Sequence, residues 1–206
     1  MINVNRHNTL LILAIVIAGF LFIGWADTWD GLKTSAGKVT SISAEFTQEK
    51  HLRILTKPLV SRGIFYYQAP RSLRWEYKSP VRSILLMHQG KIRRYIEGSS
   101  GLTEDSGAGL QAMQSVLQEI TRWLKGDFGS NPMFSASLKG EGKIVLTPRE
   151  KAFASIINRI ELILSDRPGV IESVTIYEGK NSFTRIEFQN VRVNDPLKDS
   201  LFKEIS

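Results

Sequence analysis

The sequence predicts a mainly β fold with some helix: a curved antiparallel sheet of about nine to eleven strands forming an incomplete, half-open barrel under lid helices. Three observations lead there. Short runs of alternating apolar and polar residues succeed one another between turn clusters from residue 43 to residue 193. One strongly amphipathic helix interrupts them. The pair of runs at 64–68 and 73–78 carries an unusual density of tyrosine and tryptophan, rings favoured where an apolar wall meets a polar or variable surface.

Before the first run, residues 1–26 read as an export signal. Arg6 and His7 precede an apolar run at 10–23, and Gly24-Trp25-Ala26 supplies the small residues of a cleavage site, so removal after Ala26 is expected. The run is short of the roughly 20 residues that a spanning helix needs. The remaining 180 of the 206 residues suit a single domain, 27–206, with one core. Cysteine is absent, which excludes disulfides, a thiol nucleophile and lipidation of the chain itself. The segment 27–206 has 26 lysines and arginines against 20 carboxylates, a net charge of +6. Those charges are dispersed, so anionic head groups or an acidic partner are preferred to nucleic acid.

The elements follow in order. Residues 27–41 place Trp29, Leu32, Ala36 and Val39 at helical spacing, with Thr28 or Asp30 available as a cap, and give a short N-terminal helix. A first strand is expected over 43–55. The pair 64–68 and 73–78 is a hairpin broken at Ala69-Pro70-Arg71-Ser72. In its second arm Leu73, Trp75 and Tyr77 share one face and Arg74, Glu76 and Lys78 the other, while Phe65 and Tyr67 share a face of the first arm. Strands at 82–88 and 91–97 meet at Gln89-Gly90, a two-residue turn, and complete a meander.

Residues 98–107 read as a loop, with Asp105 and Ser106 placed to cap the helix that follows. In that helix Leu110, Met113, Leu117, Ile120 and Leu124 form a stripe widened by Val116 and Trp123, and Gly126 closes it. Such a stripe must lie on the sheet. A turn-rich passage with room for a short strand at 133–138 leads to strands at 143–147, 158–165, 170–177 and 183–193, and 196–202 is read as a last helical turn.

Chemistry-bearing patterns are missing from the sequence. His51 and His88 have no carboxylates at metal-ligand spacing, and there is no phosphate-binding glycine loop and no nucleophile elbow. Glu104 and Asp105 are adjacent and diverge on any regular element. The expectation is a non-enzyme with no cofactor and no metal. The aromatic face is open to two readings, ordinary core or the lining of a hollow under a lid.

Phe46-Thr47-Gln48, Gly63 and above all the stretch Pro70-Arg71-Ser72-Leu73-Arg74-Trp75-Glu76-Tyr77-Lys78-Ser79-Pro80 resemble the LolA family of periplasmic lipoprotein carriers. The resemblance covers nearly all of 27–206. It implies an open barrel whose concave apolar face shields lipoprotein acyl chains, or another lipid, on the way from an inner-membrane release complex to an outer-membrane acceptor lipoprotein. A monomeric periplasmic protein is expected. On this reading Phe65, Tyr67, Leu73, Trp75 and Tyr77 line the cavity, and Leu110, Met113, Leu117, Ile120 and Trp123 belong to the lid. A sensor or an enzyme on the same half-barrel is the alternative. In the family an arginine just before the motif's first proline pins the lid; here that place is Ala69, and Arg62, Arg71 or Arg74 would have to replace it.

Overall fold

A computed structural model describes residues 28–105, 109–129, 132–140, 142–179 and 181–205, without the side chains of 110–116, 152 and 153. The export-signal segment 1–26, the cap candidate Ser106 and the side chains of Leu110 and Met113 fall outside that description.

The chain begins with helix α1, Trp29–Gly37. Thr28 stands at its N-cap in an extended conformation and accepts a hydrogen bond from the Gly31 amide at 3.1 Å, satisfying one of the orphan donors of the first turn. Strands β1 (Ser41–His51), β2 (Leu59–Gln68), β3 (Ser72–Ser79), β4 (Ser83–His88), β5 (Lys91–Gly98) and β6 (Gly101–Glu104) then run as an antiparallel meander. The turn between β4 and β5 has positive φ at both Gln89 and Gly90, the pairing a tight hairpin demands. Helix α2, Gly109–Leu124, leads to a second meander of β7 (Phe134–Lys139), β8 (Lys143–Pro148), β9 (Ile157–Leu164), β10 (Ile171–Glu178) and β11 (Ser182–Val193). A one-turn helix α3, Lys151–Ala154, bridges β8 and β9, and a 3-10 turn at Asp199–Phe202 ends the fold.

The two meanders join where β11 pairs with β1, giving one sheet of eleven strands in the order β6-β5-β4-β3-β2-β1-β11-β10-β9-β8-β7. It does not close, since β6 and β7 are free edges. Register shifts at Ser43/Glu45, Arg62/Gly63, Ile171/Ser173 and Tyr177/Glu178 mark irregularities of the kind that bend a strand and let a sheet curl. This is the expected half-open barrel. Two elements depart from the sequence reading: the stretch 98–107 includes β6, and α3 occupies a passage read as a turn. Neither carries an apolar period long enough to be seen, with four residues in each.

The concave side holds two apolar clusters, one around Phe46, Phe65, Tyr67, Leu73, Trp75 and Leu117, the other around Trp123, Phe128, Phe134, Ile144, Leu146 and Leu162. Ile120 of α2 packs against both, so the helix ties the two halves of the sheet together. Helix α1 supports it from behind. A Cβ on Gly126, just beyond α2, would stand 2.7 Å from the Lys33 Cα, an approach that only glycine permits.

Of the charged face of β3, Lys78 is exposed but Arg74 and Glu76 are buried. Arg74 is 4% and Glu76 5% exposed, because the C-terminal turn folds over this convex side and Phe202 is inaccessible beneath it. Arg74 Nε and Nη2 reach Glu76 Oε2 at 2.8 and 2.7 Å, and Arg74 Nη1 donates to the Leu201 and Glu204 carbonyls at 3.0 and 2.6 Å. Alternation assigned the face correctly but could not reveal that another segment covers it.

Candidate functional site

Between the concave face and α2 lies an apolar cavity of about 290 Å³. Because period-two alternation puts every second residue on one face, its walls come from β1 (Ile42, Ala44, Gln48), β2 (Phe65), β3 (Trp75, Tyr77), β10 (Val174, Ile176) and β11 (Ile186, Phe188), with further side chains from β4 and β5. Leu117, Ile120, Trp123 and Leu124 of α2 form the cover. An interior of ordinary packing density leaves few voids larger than a water molecule, so a hollow of this size is a feature of the fold.

Of the residues singled out in the sequence, Phe65, Trp75 and Tyr77 reach the cavity, as do Leu117, Ile120 and Trp123. Tyr67 and Leu73, 1% and 0% exposed, sit further along the same face inside the solid core and are not among its lining residues. The ring set is tightly coupled: Phe46 meets Trp75 at 5.1 Å and Tyr77 edge-on at 5.1 Å, and Phe65 meets Trp75 at 5.3 Å. Phe188, 6.1 Å from Trp75, closes the ring from the other meander. Sequence reading left β10 and β11 out of the wall. The alternation of Thr184, Ile186 and Phe188 with Arg185 and Glu187 was visible, but which face turned inward depended on the long-range pairing of β11 with β1.

The lining is not wholly apolar. The Tyr77 hydroxyl donates to Gln48 Oε1 at 2.9 Å, and Thr184 Oγ1 donates to Glu178 Oε1 at 3.1 Å while Lys50 Nζ lies 3.2 Å from Glu178 Oε2. Burial pushes the Tyr77 phenol up, with Trp75 and Arg94 pulling weakly the other way. It therefore stays a neutral donor at ordinary pH. Trp123 and Trp75 have buried indole nitrogens without a well-formed hydrogen bond. Trp75 has the Tyr77 hydroxyl beside it.

None of the three arginines considered as lid pins turns to the cavity. Arg62 and Arg71 are exposed, and Arg74 is held on the convex side. The arginine that lines the hollow is Arg94 of β5, missed because nothing local marks it, and it donates from Nη1 to Asp105 Oδ2 at 3.0 Å just before α2.

An open antiparallel half-barrel with an apolar cavity under a crossing helix defines a class of β proteins that can enclose a hydrophobic group. Within it this chain belongs to the LolA family: residues 37–204 match the family model described as outer membrane lipoprotein carrier protein LolA. An outer-membrane lipoprotein carrier protein of Methylococcus capsulatus is 24% identical over 200 residues, 94% of this chain and 91% of that protein. The fold is shared with an uncharacterised conserved protein from Thermus thermophilus, at a TM-score of 0.53 and 12% identity over 86% of this chain and 91% of that one. It is shared also with MucB, at 0.50 and 15% over 84% of this chain and 60% of that one.

Proposed function

We propose that this protein is a non-enzymatic periplasmic carrier that takes lipoprotein acyl chains into the cavity under α2 and moves them, as a monomer, from the inner to the outer membrane. The single observation that carries the reading is the unfilled apolar hollow walled by Phe65, Trp75, Tyr77 and Phe188. The family match supports the same cargo and, with it, an inner-membrane release complex as donor and an outer-membrane lipoprotein as acceptor. Residues 1–26 serve as the export signal, and 27–206 as one carrier domain.

Each methylene removed from water contributes about 0.8 kcal/mol, so some 12 of them give roughly 10 kcal/mol before the costs of ordering. Uptake is thus favourable and release is the demanding step. Loading must displace the α2 stripe of Leu110, Met113, Leu117, Ile120 and Trp123, and the strain of the displaced lid keeps the loaded state within reach of an acceptor. Tyr67 and Leu73 back the wall. The indole N–H of Trp123 offers a donor to an ester or amide carbonyl of an acylated head.

Native mass spectrometry of protein purified from the periplasm tests this. Co-purified lipoprotein, or an adduct of diacylated or triacylated mass, is expected. An empty protein that also fails to take up a lipopeptide in vitro overturns the proposal, and an unmodified phospholipid as the sole adduct replaces lipoprotein with another lipid as cargo.

A further inference from the structure

Large apolar side chains that stand exposed among the described residues are Ile54 (82%), Leu55, Leu59, Val60, Val81 and Ile156. They come from three connections, yet strand pairing brings all of them to one rim of the half-barrel. Leu59 and Val60 open β2 opposite Lys50 and Glu49, beside the hairpin loop that carries Ile54 and Leu55. Val81 lies in the turn that follows Ser79, which faces Arg62. Ile156 precedes Ile157, which pairs with Glu178, and Glu178 in turn faces Ser182 next to the His51–Phe183 pair at the end of β1. The polar lining of the cavity, Gln48, Tyr77, Glu178 and Thr184, sits toward this same end of its strands.

The charge of the β1–β2 hairpin, the centre of the rim, is one-sided. No carboxylate occurs from Lys50 to Trp75. Arg53, Lys57 and Arg62 are exposed, and no ion pair is formed by any of them among the described residues, whereas Lys50 is matched to Glu178. Leu59 and Val60 pair with β1 on one side and overhang the end of β3 on the other by three residues, 59–61, short of the roughly five or six of an ordinary strand. Residues 52–62 hold no aromatic ring that could serve as the buried anchor of a protein interface. Aliphatic tips beside unmatched cations fit a bilayer interface, the former entering the acyl boundary and the latter meeting lipid phosphates.

We propose that this rim, centred on the β1–β2 hairpin, docks reversibly on the surface of a bilayer rich in anionic phospholipid. The inference does not need a loaded cavity, and the unloaded protein tests it. Flotation with vesicles of phosphatidylglycerol and phosphatidylcholine is compared with pure phosphatidylcholine, at about 50 mM and about 500 mM salt. Binding is expected to the anionic vesicles and to fall at high salt. Replacing Ile54 and Leu55 together by aspartate lowers partitioning at least tenfold, and Arg53→Gln with Lys57→Gln lowers it about fivefold per cation removed. These side chains are exposed, so Tm and lipopeptide uptake stay at wild-type values. A wild-type protein that ignores anionic vesicles, or binding that neither pair alters, overturns the proposal. So does loss of capture of a protein partner, rather than of vesicle binding, in these variants. Failed lipopeptide uptake with vesicle binding intact would strike the carrier reading alone.

Discussion

Arg94 of β5, which lines the cavity, and Asp105, four positions ahead of the first residue of α2, are joined by a 3.0 Å bond. Each side chain is about a third exposed or less, so the pair contributes on the order of 0.5–1 kcal/mol. Its position matters more than its strength, because it fixes the entry to α2 at the place where the helix would have to lift. Arg94→Ala should increase amide exchange over 109–124 severalfold and lower Tm by a few degrees, with Arg94→Lys intermediate. Exchange measured by mass spectrometry checks this, and unchanged protection of α2 rules the pair out as a latch.

Gly63 predicts a steep loss. A Cβ there would stand 2.0 Å from the Glu76 carbonyl oxygen and 2.7 Å from the Phe46 ring, which lies across the gap as its cross-strand partner. Gly63→Ala forces β2, β3 and Phe46 apart together, and a cost of about 3 kcal/mol is expected from overpacking. A urea midpoint close to wild type would contradict this.

The buried Arg74–Glu76 pair predicts that the C-terminal tail depends on β3. Arg74→Ala strands the Glu76 carboxylate and leaves two carbonyls of 201–204 without their donor, a loss of about 3–5 kcal/mol. Limited proteolysis should then cut within 195–205 while the rest of the sheet persists. Arg82, 3.1 Å from Glu76 Oε1, keeps one partner for the carboxylate and sets the lower end of that range.

Acid should loosen the second meander through Glu161. Burial alone would raise its pKa, but Arg159 Nε at 2.8 Å and Lys143 Nζ at 2.9 Å more than offset this and hold it below the ordinary 4.5. A lowered folded-state pKa means that the stabilisation is complete above the ordinary value and is lost as pH falls through the folded one. Glu161→Gln should therefore flatten the Tm profile below about pH 4.5, leaving its shape at neutral pH unchanged. An identical acid limb in wild type and variant refutes the assignment.

Local pattern made most of the fold legible. Alternation and turn residues located β1–β5 and β7–β11, and a stripe of apolar positions located α2, because each of these signals is written within a few residues. The site was legible only in part. Trp75 and Leu73 share a face of β3 two residues apart, yet one lines the hollow and the other is solid core, a distinction set by where α2 crosses. Arg94, Ile186 and Phe188 enter the wall through pairings between distant segments, and the burial of Arg74 follows from a tail about 130 residues away. Periodicity reports which face a residue is on and says nothing of what covers that face.

That distinction decides how the cavity must be tested. Leu73→Glu puts a carboxylate in a position with no accessible surface and unfolds the protein, so lost uptake there would not separate binding from stability. Ala44 is the better probe: it lines the hollow from the centre of β1, between Ile42 and Phe46, and its small side chain leaves the space next to Phe65 open. A larger side chain there takes up volume of the hollow that Ala44 lines. Ala44→Leu and Ala44→Phe should hold Tm within a few degrees of wild type while reducing lipopeptide uptake in order of added volume, the phenylalanine at least tenfold. Tryptophan fluorescence gives the readout, since Trp75 and Trp123 both border the same space. A stable Ala44→Phe variant that still loads normally would mean that acyl chains go elsewhere.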